Sequence, residues 1–291
     1  MCVVASSNRI ASRAQQHSAT IRRIEQTAAA NAARPLAHAL TEAQAAATRQ
    51  WLHATARHST PAMSTLERLI AAIKKALAEA FRGKGAAARE AIRQAAWTAA
   101  QLSADHASAL AAAMRAQPTP PVQATIGPAA TAAADAVPAA IEEEHQHALA
   151  LLTTASLAAL GQSAVAGVFS RARRAVGRIT RHAAVAVTSA AAHATMLVAK
   201  AIGPTTRLLW VAEPGACPAC GAYAGRSIRP GEHFPAGLSL NPQKTVFRFA
   251  PDGPPLHPSC RCWLLPYSPG WPVDGTPLPT LLRQYARTGG H

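Results

Sequence analysis

The chain reads as mainly α, an alanine-rich helical N-terminal region followed by a small zinc-stapled α+β module. Three observations predict this. Aromatic residues make up only 4% of 291 residues while alanine is abundant, so thin helix-on-helix packing is favoured over a broad core. Apolar residues recur at helical spacing through the first two-thirds. Cysteine and histidine then gather in two short stretches of the last third, "CPACG" and "HPSCRC".

The first expected domain, residues 1–116, is helical and basic. Ser64 and Glu67 have capping-box spacing ahead of Leu66, Leu69, Ile70, Ile73, Leu77 and Phe81, and Gly83 ends the run. Thr41 and Gln44 repeat the box pattern, and a further helix is expected over about residues 86–116. A proline-rich linker follows, 117–137, opening "QPTPPVQATIGP".

The third domain, 138–206, is helical again. One helix is expected after Pro138 as far as Gly161, with "EEE" as its solvated acidic first turn. In the next helix Val165, Val168, Phe169, Ala172, Val176 and Ile179 share one face. Arg171, Arg174, Arg178 and Arg181 share another. No acid occurs from residue 145 to 212, so no salt-bridge partner is expected locally and an external anion, nucleic acid or an acidic protein, is the expected partner. The formal charge of +15 points the same way.

From Arg207 the texture changes. "RLLWVA", "TVFRF" and "CWLL" predict short strands in a module spanning 207–266, and the proline-rich residues 267–291 predict an extended tail.

Cys217 and Cys220 frame a C-x-x-C turn. His257, Cys260 and Cys262 offer three further donors, and the spacing leaves open which two complete a tetrahedral site with the first pair. The N-terminal "MCVVASSNRI" has no leader pattern, which predicts a reducing compartment, where clustered cysteines hold metal rather than disulfides. Disulfide pairing is the rival reading; a Cys260–Cys262 bridge would be strained. No βαβ pattern surrounds Cys217 and Cys220, which argues against a thioredoxin-like pair. Cys2 stands alone. Residues 183–199 are the best membrane candidate, but interrupting polar residues and short length favour a packed helix, so no membrane partner is expected.

"LLWVAEPGACPACGAYAGRSI" followed by "PPLHPSCRCWLLP" resembles the C-terminal region of phage head morphogenesis proteins, the minor capsid family similar to protein F of phage Mu. Trp210, Cys217, Cys220, Gly225, Pro254, Pro255, His257, Pro258, Cys260, Arg261 and Cys262 match in order, within about residues 165–266. The acid often found just before the first cysteine is displaced, Glu213 being nearest, and Ser259 stands where Asn is commoner. The resemblance implies a virion component made in the host cytoplasm. It would act near the portal in head assembly and DNA packaging, with portal or major capsid protein and DNA as partners and no catalysis or small-molecule substrate.

Two other readings share these residues: a stand-alone zinc-containing DNA-binding protein, and an enzyme or toxin carried on the module. No Walker loop, nucleophile elbow or dinucleotide fingerprint is present. Glu142-x-x-His145 and Glu144-x-x-His147 are set aside as a di-metal motif because facing helices with further glutamates would be needed. His17, His38, His53, His58 and His106 show no ligand spacing, and Ser259 reads as a turn residue.

Overall fold

Alanine-dense sequence with few breakers makes long helices, and the computed structural model, which describes residues 5–56 and 62–288, is built from them. Cys2 and His58 lie outside the described residues. The N-terminal strand β1 (Ala5–Ser6) leads into α1 (Ser7–Thr55), which runs through Pro35. Helix α2 (Met63–Phe81) follows and stops at Gly83, whose φ of +71° is the left-handed conformation that ends helices. Next come α3 (Lys84–Arg115), α4 (Gly127–Asp135), α5 (Val137–Ala150), α6 (Thr154–Leu160), α7 (Gln162–Ala172) and α8 (Arg174–Ile202). The C-terminal part holds β2 (Arg207–Val211), α9 (Pro218–Tyr223), β3 (Ser227–Ile228), β4 (Trp263–Tyr267), β5 (Val273–Asp274) and α10 (Leu278–Thr288). The expected mainly helical chain with a small mixed module is what folds.

Several expected details differ. Neither capping box forms: α2 opens at Ala62 with no side-chain cap, and Thr41 lies inside α1, its hydroxyl donating to the Ala37 carbonyl. The single helix expected from Pro138 to Gly161 is two. Thr153 adopts an extended backbone and exchanges hydrogen bonds with Ser156, so α6 starts afresh there. Gly161 does end α6. Much of the expected linker is α4. "TVFRF" forms no strand; single backbone bonds, Gly237 N–H to the Phe247 carbonyl and Thr245 N–H to the Asn241 carbonyl, tie it down instead of a ladder. The tail is not extended. β5 pairs in parallel with β1, and α10 buries Leu278, Leu281 and Leu282 and packs on α9.

The chain divides into two compact units. One comprises residues 28–92 and 134–182. In it α2 packs on α5 and α6, and α7 on the same two helices. The buried faces are Leu66, Leu69, Ile73, Leu77 and Phe81 on α2 and Val165, Val168, Phe169 and Ala172 on α7, continued by Ile179. Each large side chain so buried contributes about 1.5–3 kcal/mol. The apolar stripe read from the sequence is therefore the packing face, with Val176 half-buried.

The other unit comprises residues up to Thr27, 93–133 and from Ala183 onward. Its three-stranded antiparallel sheet has the order β3-β2-β4, with Trp210 opposite Leu264 and Val211 opposite Trp263. One face of this sheet closes over a core of Trp210, Tyr223, Phe234, Leu256, Leu264 and three of the cysteines, backed by Ala192 and Ala199 of α8. By length and composition the stretch Gln162–Ile202 could cross a membrane; 61% of its most apolar window is buried inside the fold, as in a core helix.

Candidate metal centre

Two turns, each spanning two donors three residues apart, build the site. In the first, Cys217 has an extended backbone and caps α9, with Pro218 fixing the first helical position. Its sulfur accepts the Cys220 N–H at 3.5 Å and its carbonyl accepts the Gly221 N–H at 2.9 Å. In the second, the Cys260 N–H donates to the His257 carbonyl at 2.8 Å, closing a turn over the same three-residue spacing. Each turn aims two donors inward. Phe247 stacks on the His257 ring, centroids 5.6 Å apart and planes within 16°, and sets its orientation.

The result brings all five sequence-derived donors together. His257 Nε2 lies 3.4 Å from both Cys217 Sγ and Cys220 Sγ, and Cys220 Sγ lies 3.6 Å from Cys260 Sγ. Two overlapping groups have donor atoms within 4.8 Å of one another: Cys217, Cys220 and His257, and Cys220, Cys260 and Cys262. Cys220 belongs to both. All four cysteines are free thiols; Cys220, Cys260 and Cys262 are buried and Cys217 is part-exposed. Such a cluster can hold a metal ion.

The electrostatics fit that use. Hydrogen bonding to Cys260 and Cys262, then burial, pushes the Cys220 thiol far above its usual range, while the S–H bonds that Cys260 receives from Cys220 and Cys262 pull the Cys260 thiol well down. The buried sulfurs share protons because repulsion forbids their ionising together; a cation would remove that restraint.

A charged clamp fixes the second turn. Arg261, between the two cysteines, donates from Nε and Nη2 to Glu25 on α1 at 2.6 and 2.7 Å and from Nη1 to the Ser259 carbonyl at 2.6 Å. Its backbone N–H donates to Glu213 Oε1 at 3.1 Å, and Glu213 Oε2 is bonded to Arg22. Glu25 and Glu213 are both buried. Paired hydrogen bonds to Glu25 hold the Arg261 guanidinium pKa above its ordinary value. Sequence reading singled out Glu213 but missed Arg22 and Glu25, which carry no local pattern.

Next to Cys262 in the chain, Trp263 meets a histidine pair that sequence spacing did not connect. His17 and His106 stack with centroids 4.3 Å apart, each tilted against Trp263, and His17 Nε2 is 2.9 Å from Ser103 Oγ. Burial, then His106, lowers the His17 pKa to about 3; burial, then Arg13, lowers that of His106.

The arginine stripe is partly paired, which corrects the expectation that it has no salt-bridge partners. Arg171 Nη2 lies 3.0 Å from Glu144 Oε2, Arg178 Nε 3.0 Å from Glu144 Oε1, and Arg178 Nη2 3.5 Å from Glu143. These acids sit on α5, just before the acid-free interval. Glu144 is buried rather than part of a solvated first turn, and His145 is buried against Phe81. Arg174 and Arg181 make no ion pair or hydrogen bond among the described residues.

A separate cavity of about 360 Å³ is mostly apolar, with His193, His233 and Asp252 on its walls. Burial, then Lys200, lowers the His193 pKa. Compared with family models, curated proteins and solved structures, the chain matches none.

Proposed function

We propose that the chain is a structural minor head protein of a phage. It would act near the portal during head assembly and DNA packaging and remain in the virion, with a zinc ion stapling its C-terminal module. The observation that carries this reading is the convergence of Cys217 and Cys220 with His257, Cys260 and Cys262. The same residues carry the resemblance to the head morphogenesis family.

Zinc is favoured by the donor set and by size. Zn–S bonds of about 2.3 Å and Zn–N bonds of about 2.05 Å give tetrahedral edges of about 3.8 Å between sulfurs and about 3.5 Å from sulfur to nitrogen. The 3.6 Å and paired 3.4 Å separations match three of the six edges. The ligands would be Cys217, Cys220, His257 and Cys260, the last for its 3.6 Å approach to Cys220; Cys260 and Cys262 both lie outside the Cys217–His257 group, so the four donors would draw together on the ion. A closed set of four leaves no position for a reacting water, so the ion's role is to hold two loops of an otherwise small core.

Purified portal and major capsid proteins provide the test. The zinc-loaded chain is expected to bind one of them in co-sedimentation, and a Cys220→Ser variant to lose that binding together with its zinc. Duplex DNA binding with no association to either protein would favour the stand-alone DNA-binding reading instead.

A further inference from the structure

We propose that the pocket formed by Arg171, Arg174, Arg178 and Arg181 binds the phosphate backbone of duplex nucleic acid. This inference goes beyond the metal-stapled module and does not rest on it. The site lies wholly within the unit formed by residues 28–92 and 134–182.

The pocket measures about 510 Å³ and is lined by these four arginines, Glu144 and Gly177. Glu144, its side chain 3% exposed, fixes two of them in place: Arg171 on Oε2 and Arg178 on Oε1. His147 Nδ1 lies 2.6 Å from Arg171 Nη2, and Glu143 reaches Arg178 at the rim. Even with both acids ionised, two positive charges are unmatched. They belong to Arg174 and Arg181, which are exposed and have no partner among the described residues. Arginine cannot shed its charge by losing a proton at any ordinary pH, so the surplus is permanent and attracts an external anion.

The lining identifies that anion. It holds no aromatic ring on which an unpaired base could stack and no apolar wall for a small organic ligand. Planar guanidinium forks suit phosphate oxygens, which they bind in pairs. Gly177 contributes no side chain, and an added Cβ there would meet nothing within 4 Å, so the space between Arg174 and Arg181 is open to an incoming group. From Arg174 to Arg181 helix α8 rises about 10 Å, long enough to meet more than one phosphate of a regular backbone. Contacts of this kind carry no base information, so binding should be independent of sequence.

The test uses the full-length chain and a fluorescent DNA duplex, with anisotropy measured across a salt series. Wild type is expected to bind unrelated duplexes equally, with log K falling linearly against log salt. The double variant Arg174→Ala/Arg181→Ala should flatten that slope by about 1.8, two phosphate contacts at about 0.9 each. Between 50 and 200 mM salt, wild type should therefore lose about tenfold more affinity than the variant. Circular dichroism and metal content should be unchanged, since both side chains are exposed. An unchanged slope overturns the proposal. So does a chain that ignores duplex DNA but binds polyglutamate through Arg174 and Arg181, which would assign the pocket to an acidic protein. Portal binding and zinc content are read separately, so the head-protein reading stands or falls apart from this one.

Discussion

The Cys/His module and the arginine pocket each gather groups of one charge sign, yet they relieve the crowding in opposite ways. Thiols can discharge. Cys220 keeps its proton, pushed up by its sulfur neighbours and by burial, so the cluster tolerates lacking an ion at the cost of its ligand power. Arginines cannot, so Arg171 and Arg178 are met by buried Glu144 while Arg174 and Arg181 stay open to an anion from outside. A cluster of donors that can be neutralised is thus a site with two states, whereas a cluster that cannot keeps its charge, met by buried acid where it is enclosed and by water or an outside anion where it is exposed.

The largest expected effect comes from removing the residue shared by both donor groups. Cys220→Ser should abolish zinc binding and unfold the module, because structural zinc is worth on the order of 10 kcal/mol to a small fold. Near-UV circular dichroism and elemental analysis read it. Cys262→Ser, by contrast, should keep its zinc, and loss of zinc there would replace Cys260 by Cys262 in the ligand set.

Next is the clamp. Glu25→Gln leaves Arg261 without its carboxylate and should cost about 3 kcal/mol in denaturant unfolding. Zinc affinity should fall at least tenfold, as for supporting partners of metal ligands, and a competition titration with a chromogenic chelator measures it.

A smaller effect concerns pH. His17 has its pKa lowered to about 3 in the fold, against 6.5 for a free side chain. The unfolded chain therefore takes up the proton first as pH falls. The contribution of neutral His17 is complete above about pH 6.5 and declines as the pH drops toward 3, the loss reaching about 2 kcal/mol at pH 5. His17→Leu should remove that part of the acid dependence relative to wild type, with His106, Arg13 and Ser103 left in place to set the baseline. Parallel stability curves at pH 7 and pH 5 decide it.

The two regions also differ in how far they could be read from sequence. The five donors were legible because ligand types at three-residue spacing are a local pattern, and the turns at Cys217 and His257 are built within a few residues. The clamp was not, since Glu25 lies 236 positions from Arg261 and nothing beside either residue announces the other. The arginine stripe was legible as a periodicity. Its pairing was hidden because Glu143 and Glu144 come from α5, and a search along the stripe's own helices, α7 and α8, does not meet them. Helix α10 was masked by Pro272, Pro277 and Pro279, although prolines are compatible with a helix's first turn. Gly225 shows what the tail needs: its φ is +69°, and a Cβ there would overlap the Pro279 carbonyl of α10. The Thr153–Ser156 cap that splits α5 from α6 is an ordinary polar pair until its backbone is seen.

The zinc content of the reduced, purified chain, measured alongside its near-UV circular dichroism during chelation, decides whether a metal holds the module together. One zinc per chain is expected, and its removal should collapse the aromatic signal of Trp210 and Trp263 in step with metal loss. A chain that contains no zinc and keeps that signal, or that sheds its zinc with the signal intact, would contradict it.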